Sequence, residues 1–315
     1  DVNVSSSTWL QKIPRTLDVL SPYEFVKYQQ KIAYANDSYT PGLNVNQFVN
    51  TWVDPELYRN IRGTNWQDEI FQTALTSNHT ASIRAGNKKT TLFYSGNFLD
   101  QEGSLITTGF RKINNRLKFT HKLTDKFELN GQAEYSNIKY NGMQIAGNTR
   151  NSVIRDAISF RPVNPAKWTS EQESAVEATD PYLYDPVKGL KNTERTRVDD
   201  VFAGTLGLNY KISQKLDLSL NGNYRTSISE NTLFHNQDTQ EATRTKRGIN
   251  GTISNIKNDV LSTSNTLRYR DNKEKHTYSA LLGFEAQYRD SKYSQLRNTN
   301  LPTDEFGIYN LGIAT

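Results

Sequence analysis

The chain has no cysteine and only one methionine among its 315 residues. Without thiols there can be neither a disulfide framework nor a thiolate metal site. Long apolar runs are also missing. No stretch of 18 apolar residues occurs, so nothing reads as a membrane-crossing helix. The opening residues, DVNVSSSTWL, lack the basic and apolar regions of a secretory signal. Histidine is scarce: His79, His121, His235 and His276 lie far apart, and Asp238 follows His235 at ligand spacing. No metal or cofactor is expected. G-x-S-x-G, the P-loop and G-x-G-x-x-G are all absent. Asp199 and Asp200 are strand neighbours that must point to opposite faces, so they cannot share acid–base work. No catalytic residue is identified, and the chain does not read as an enzyme. Net charge is +5 and the pI about 9.1, but Lys and Arg are scattered without a basic block. That is a solvated surface rather than a nucleic-acid footprint, and no nucleic-acid partner is expected.

What the chain has in quantity is aromatic side chains, 17 Tyr and 13 Phe, inside a polar background of mean hydropathy −0.73. They recur with period 2. In Phe127–Tyr135 the odd positions are Phe127, Leu129, Gly131, Ala133 and Tyr135, while Glu128, Asn130, Gln132 and Glu134 alternate with them. This is a half-buried strand long enough to cross a membrane when tilted. Similar rows run through 90–98, 112–123, 201–212, 216–224 and 278–288. Weaker ones mark Val2–Leu10, His79–Ala85 and Leu261–Tyr269, giving nine predicted strands. Tyr94, Tyr135, Tyr210, Tyr224, Tyr269 and Tyr288 fall near row ends, where an aromatic girdle would sit.

The connections alternate. GNKKT (86–90), LTDKF (123–127), ISQKL (212–216) and RDNKEKH (270–276) read as tight polar turns. Residues 139–198 and 226–258 read as long loops. Short turns at one end and long loops at the other predict an all-β fold, an antiparallel transmembrane β-barrel segment with short loop helices. A soluble β-sandwich or β-helix is the rival reading of the same alternation, and it requires the apolar rows to meet a second sheet. Three helical segments are predicted. Ser21-Pro22-Tyr23-Glu24 is a capping box opening one of them. Asn151–Phe160 precedes the stop RPVNP. In TNWQDEIFQTA, Thr64 is the expected cap, with Gln67 reaching back to it. The 139–198 loop carries Trp168, Tyr182 and Tyr184 beside Asp180 and Asp185. Rings beside carboxylates suit sugar stacking, and they equally suit a loop packing on itself.

The order of these parts resembles the SusC/RagA-like TonB-dependent transporters of Bacteroidota outer membranes. Trp66, Gln67, Asp68, Ile70 and Phe71 match the family's W-Q-D-x-I-F turn. Gly86, Asn87, Lys89, Thr90 and Thr91 match its hairpin, and Leu99, Asp100, Gln101, Glu102 and Gly103 match its L-D-Q-E-G loop. LDVLSPYEFVKYQ and RPVNP (161–165) add to the likeness, which is good over about 1–165 and general in style over 200–315. The resemblance implies residues 1–315 as a partial transporter barrel with no plug domain in this chain. Nine strands are an odd count, so a longer functional molecule is expected. It implies import of oligosaccharides or peptides across the outer membrane, contact with outer-membrane lipid, and a SusD-like lipoprotein lid. TonB would act through a plug and TonB box outside this chain. Trp168, Tyr182 and Tyr184 are the candidates for touching substrate or lid. A small porin-like or adhesin-like barrel is the alternative.

Overall fold

The computed structural model describes residues 1–37, 42–142, 153–165, 184–273 and 276–313. Nine antiparallel strands form one sheet in simple sequence order. They are β1 (Val2–Gln11), β2 (Ala74–Gly86), β3 (Thr90–Glu102), β4 (Gly109–Lys122), β5 (Phe127–Asn141), β6 (Thr193–Lys211), β7 (Leu216–His235), β8 (Ile249–Lys273) and β9 (His276–Leu301). Each strand pairs with its sequence neighbour, and among the described residues β1 and β9 do not pair with each other. The sheet is therefore an open piece of wall.

Directly paired residues in an antiparallel ladder share a face. The register thus carries one apolar face across every strand. Leu92 pairs Phe119, Phe119 pairs Gly131, Gly131 pairs Leu206, and Leu206 pairs Gly222. One row on, Tyr94, Leu117, Ala133, Gly204, Tyr224, Leu261 and Tyr288 line up across seven strands. The other face carries Asn, Ser, Thr and charge, tied by bonds such as Asn97 Nδ2 to Asn78 Oδ1 at 2.7 Å and Ser136 Oγ to Asn114 Oδ1 at 2.7 Å. Asp199 and Asp200 do part to opposite faces. Asp199 takes Arg197 at 2.9 Å, and Asp200 accepts the Tyr135 hydroxyl at 2.7 Å.

Among the described residues no second sheet covers the apolar face. Leu282 is 70% exposed, Phe284 62% and Leu206 56%. A sandwich would bury these rows, so that reading fails. The buried apolar clusters lie instead at the end of the sheet that holds the long connections. The predicted tight turns sit together at the opposite end, joining β2–β3, β4–β5, β6–β7 and β8–β9. In the first of them Asn87 Oδ1 accepts from the Lys89 and Thr90 amides, both at 2.8 Å, and the chain reverses. A Cβ on Gly86 would stand 2.5 Å from the Thr90 carbonyl oxygen, which fixes glycine there.

The strands run further than their alternation predicts. β7 continues to His235 and β8 begins at Ile249, so the predicted 226–258 loop shrinks to 236–248. Likewise β5 reaches Asn141 and β6 starts at Thr193, trimming the predicted 139–198 loop to 142–192. Outside the apolar rows both faces are polar, and period 2 becomes invisible.

Candidate functional site

The long-loop end is where the chain builds enclosed structure. The β1–β2 connection, residues 12–73, carries helices α1 (Pro22–Asn36), α2 (Leu43–Thr51) and α3 (Trp66–Ile70). The capping box at α1 forms as read: the Glu24 amide donates to Ser21 Oγ, and Ser21 N donates to Glu24 Oε2 at 2.9 Å. The Ser21 amide, with the Ser21 hydroxyl beside it, donates to Oε2 and holds the Glu24 carboxyl below its ordinary range. Phe25, Val26, Phe48 and Tyr58 make one small core.

The WQDEIF segment is a clamp. Asn65, not Thr64, caps α3, accepting from the Gln67 amide at 3.2 Å. Asparagine is the stronger cap, and the Thr64 amide is held by the Pro162 carbonyl at 2.8 Å. Gln67 does not reach back to Thr64 either. It is 2% exposed and pairs with both backbone groups of Leu17, at 2.9 and 2.8 Å. Trp66 donates its indole N–H to the Arg161 carbonyl at 2.8 Å and meets Phe160 edge to face at 4.9 Å. Ile70 is fully buried and its carbonyl receives the Ile106 amide at 2.9 Å. One short helix thereby ties together the strand exit at Leu17, the β3–β4 loop and the segment after β5.

The LDQEG motif closes β3 and enters that loop at Gly103. Asp100 pairs with Arg111 at 2.8 Å and Glu102 accepts from the Leu75 amide at 3.1 Å. A Cβ on Gly103 would fall 1.8 Å from Thr108 Oγ1. Helix α4 (Val153–Ser159) and helix α5 (Pro186–Lys191) join this cluster, burying Ala157 and Leu190 against Ile70 and Leu105. A cavity of about 280 Å³ lies beside them, with Phe25, Tyr28, Trp66, Ile158 and Phe160 in its walls.

A second, smaller cavity, about 120 Å³, has Asp156, Tyr184, His235 and Glu241 in its lining. Burial pushes the Asp156 carboxyl up to about 6, against the opposing pull of Arg155. His235 Nδ1 lies 3.3 Å from Thr193 Oγ1, and Asp238 pairs with Lys188 at 3.7 Å, so this spacing gathers no metal ligands. Among the described residues no group of three metal-ligating side chains occurs.

Of the three predicted contact residues, Trp168 and Tyr182 lie outside the described residues. Tyr184 is 6% exposed and its ring packs on Gly189, where a Cβ would stand 3.3 Å from Cε1. Sequence reading missed α2, α5 and helix α6 (Gln240–Arg244). The caps of the last two, Asp185 and Thr239, are visible signals.

Comparison with known proteins places this architecture. A receptor of Formosa agariphila named TonB-dependent receptor P26 is 23% identical over 324 residues, covering 99% of this chain and 30% of its own length. TonB-dependent receptor P3 of the same organism is 24% identical over 166 residues, covering 51% of this chain and 14% of its own. Solved structures of the RagAB peptide importer superpose over 100% of this chain and 37% of theirs. TM-scores are 0.73 in the closed-closed state and 0.71 in the open-open state, each at 14% identity. The chain has a SusC/RagA-like, TonB-dependent transporter fold. The resemblance read from the sequence is borne out, and the nine strands correspond to part of that barrel. The chain spans about a third of the length of the first of these relatives and of the importer. No family model matches it.

Proposed function

We propose that the chain forms part of the wall of an outer-membrane, TonB-dependent importer of oligosaccharides or peptides. The observation that carries this reading is the uninterrupted apolar face, which no second sheet covers among the described residues. On β9 it runs from Tyr278 to Tyr288. Ten residue steps are about 34 Å along a strand, or roughly 25 Å in height at a 45° tilt, the height of a lipid-facing band. Aromatic side chains close both margins. Tyr135, Phe202, Tyr224 and Tyr288 stand toward the long loops. Phe127 and Tyr210, stacked at 4.1 Å, stand with Tyr269 and Tyr278 toward the tight turns.

The tight turns at Asn87, Asp125, Gln214 and Asn272 are assigned to the periplasm, and the 142–192 and 236–248 connections to the outside. A SusD-like lipoprotein over the long-loop end is the proposed partner. Trp168, Tyr182 and Tyr184 belong to the loop that would meet it or the substrate. Uptake of a labelled peptide mixture and a labelled oligosaccharide mixture tests the reading in cells carrying or lacking the gene. Gene-dependent uptake of either, abolished by collapsing the proton-motive force, is the expected result. Energy-independent leakage would mean a porin instead. External protease should cut within 142–192, and less so when the lipoprotein is present. Cutting at 87 or 125 from outside would invert the topology.

A further inference from the structure

We infer that Lys257 and Lys292 form a site for the phosphate of a lipid headgroup on the outward face of the wall. The site rests on the membrane reading above. β8 and β9 place these two lysines directly opposite each other, on the same face as the apolar rows. Immediately below, toward the band, Asp259 and Asp290 are likewise directly opposite. Like charges facing across a ladder destabilise it, and here each like pair is offset by the opposite pair two residues along the same face.

Each aspartate holds the lysine of its own strand: Lys257 Nζ to Asp259 Oδ2 is 3.1 Å, and Lys292 Nζ to Asp290 Oδ2 is 3.6 Å. Tyr224 donates to Asp259 Oδ1 at 3.3 Å, anchoring the quartet to the aromatic margin. The lysine side chains remain 49% and 75% exposed, with ammonium hydrogens to spare. Lys292 lies four residues past Tyr288, roughly 10 Å above the band at a 45° tilt, which is headgroup depth. At that depth the group these ammoniums meet is an anionic headgroup rather than an acyl chain. Two adjacent ammoniums suit a phosphate, which offers several oxygens and more than one negative charge. The aspartates beneath fix the lysines in place and keep the bound phosphate at the level of the ammoniums. At the same margin Arg111 is held by two bonds to Asp100, at 3.2 and 2.8 Å, and is less free to turn to a headgroup.

The test uses the intact transporter containing this chain, purified in detergent and titrated with short-chain phosphatidic acid while bound copies are resolved by native mass spectrometry. The wild type should hold one copy more tightly than the rest. K292Q should weaken that copy about fivefold and K257Q/K292Q roughly twentyfold, the scale of one and two cations against an anionic lipid layer. K31Q, on α1, should change nothing. Diacylglycerol should not bind, and inorganic phosphate should not compete at matched concentration. Equal binding by the double variant, or displacement by inorganic phosphate alone, overturns the site. Every sample is checked for heat-modifiable gel mobility. A wild type without that mobility would remove the membrane reading itself, whereas a heat-modifiable double variant with undiminished binding removes only this site.

Discussion

The wall and the long-loop end of this chain solve opposite problems with the same residue types. In the wall, Leu282, Phe284 and Tyr288 are each more than 60% exposed and touch no core. At the loop end, Val26, Ile70 and Leu190 are at or below 1% exposed, inside clusters of four or five buried residues. Exposure of that extent in water would leave a large adhesive patch. In lipid it costs nothing, because the acyl chains supply the contact. The loop end has no lipid to lean on, and packs itself into small cores as a water-soluble protein does. On the membrane reading proposed above, the comparison teaches that one chain is written for two solvents, with an aromatic margin between them.

The largest effects should separate the two regions. Ile70→Ala opens a fully buried site at the meeting point of α3, α4, α5 and the β3–β4 loop, and should cost the loop cluster about 4 kcal/mol. Protease susceptibility within 142–192 should rise sharply, while heat-modifiable mobility of the barrel stays. Loss of both would mean that the loop cores and the wall fold as one unit. Leu282→Arg is the converse. At the middle of the lipid band it should cost about 2–4 kcal/mol and lower barrel assembly, as should Leu220→Arg. Asn221→Arg, on the polar face, should assemble normally. Equal tolerance of all three substitutions would erase the difference in solvent.

A smaller effect is expected at Gln67, whose amide replaces a missing strand partner for Leu17. Gln67→Ala removes both bonds to the Leu17 backbone, a loss of about 2 kcal/mol at roughly 1 kcal/mol each. Faster hydrogen exchange at Leu17 and Trp66, with the β4–β5 hairpin unchanged, is the signature. No change at either would reduce the clamp to a passive linker.

How much of this was readable depends on the solvent again. The wall was legible because a face proposed to meet lipid demands apolar side chains at every second position, and nothing else in the chain shows that pattern so steadily. Phe127–Tyr135 and Tyr278–Tyr288 declare their faces residue by residue. Where the strands leave the band, as β8 does over 249–259, the demand ends and the strand disappears from the sequence while persisting in the fold. The loop end was legible only where backbone chemistry is local, as in the Ser21–Glu24 box. The pairing of Gln67 with Leu17, fifty residues away, has no local trace, and nor does the choice of Asn65 over Thr64 as cap. Tyr184 reads in the sequence as a loop aromatic beside an acid. The fold turns it onto Gly189, a placement that depends on α5 and so on long-range packing.

The smallest predicted effect lies in the same loop end and depends on pH. Asp156 sits on α4, one residue before the buried Ala157, and lines a cavity shared with His235 and Glu241. Burial raises its carboxyl to about 6, above its ordinary value of 3.8. The folded loop therefore binds the proton more tightly than the opened loop does. Below about pH 4 both forms are protonated and this preference contributes in full. As pH rises through 6 the folded form must ionise in place, and the contribution is lost. Allowing for partial exposure, the loss should be about 1 kcal/mol at neutral pH. Asp156→Asn keeps the shape and removes the charge. The variant should match the wild type at pH 4 and hold α4 more tightly at pH 7.5. Hydrogen exchange at Ala157 and Phe160, corrected for the intrinsic dependence on pH, reads this directly. Protection in the wild type that stays constant between pH 4 and 7.5 would mean that water already reaches the carboxylate, and the loop end would then be less dry than its cores imply.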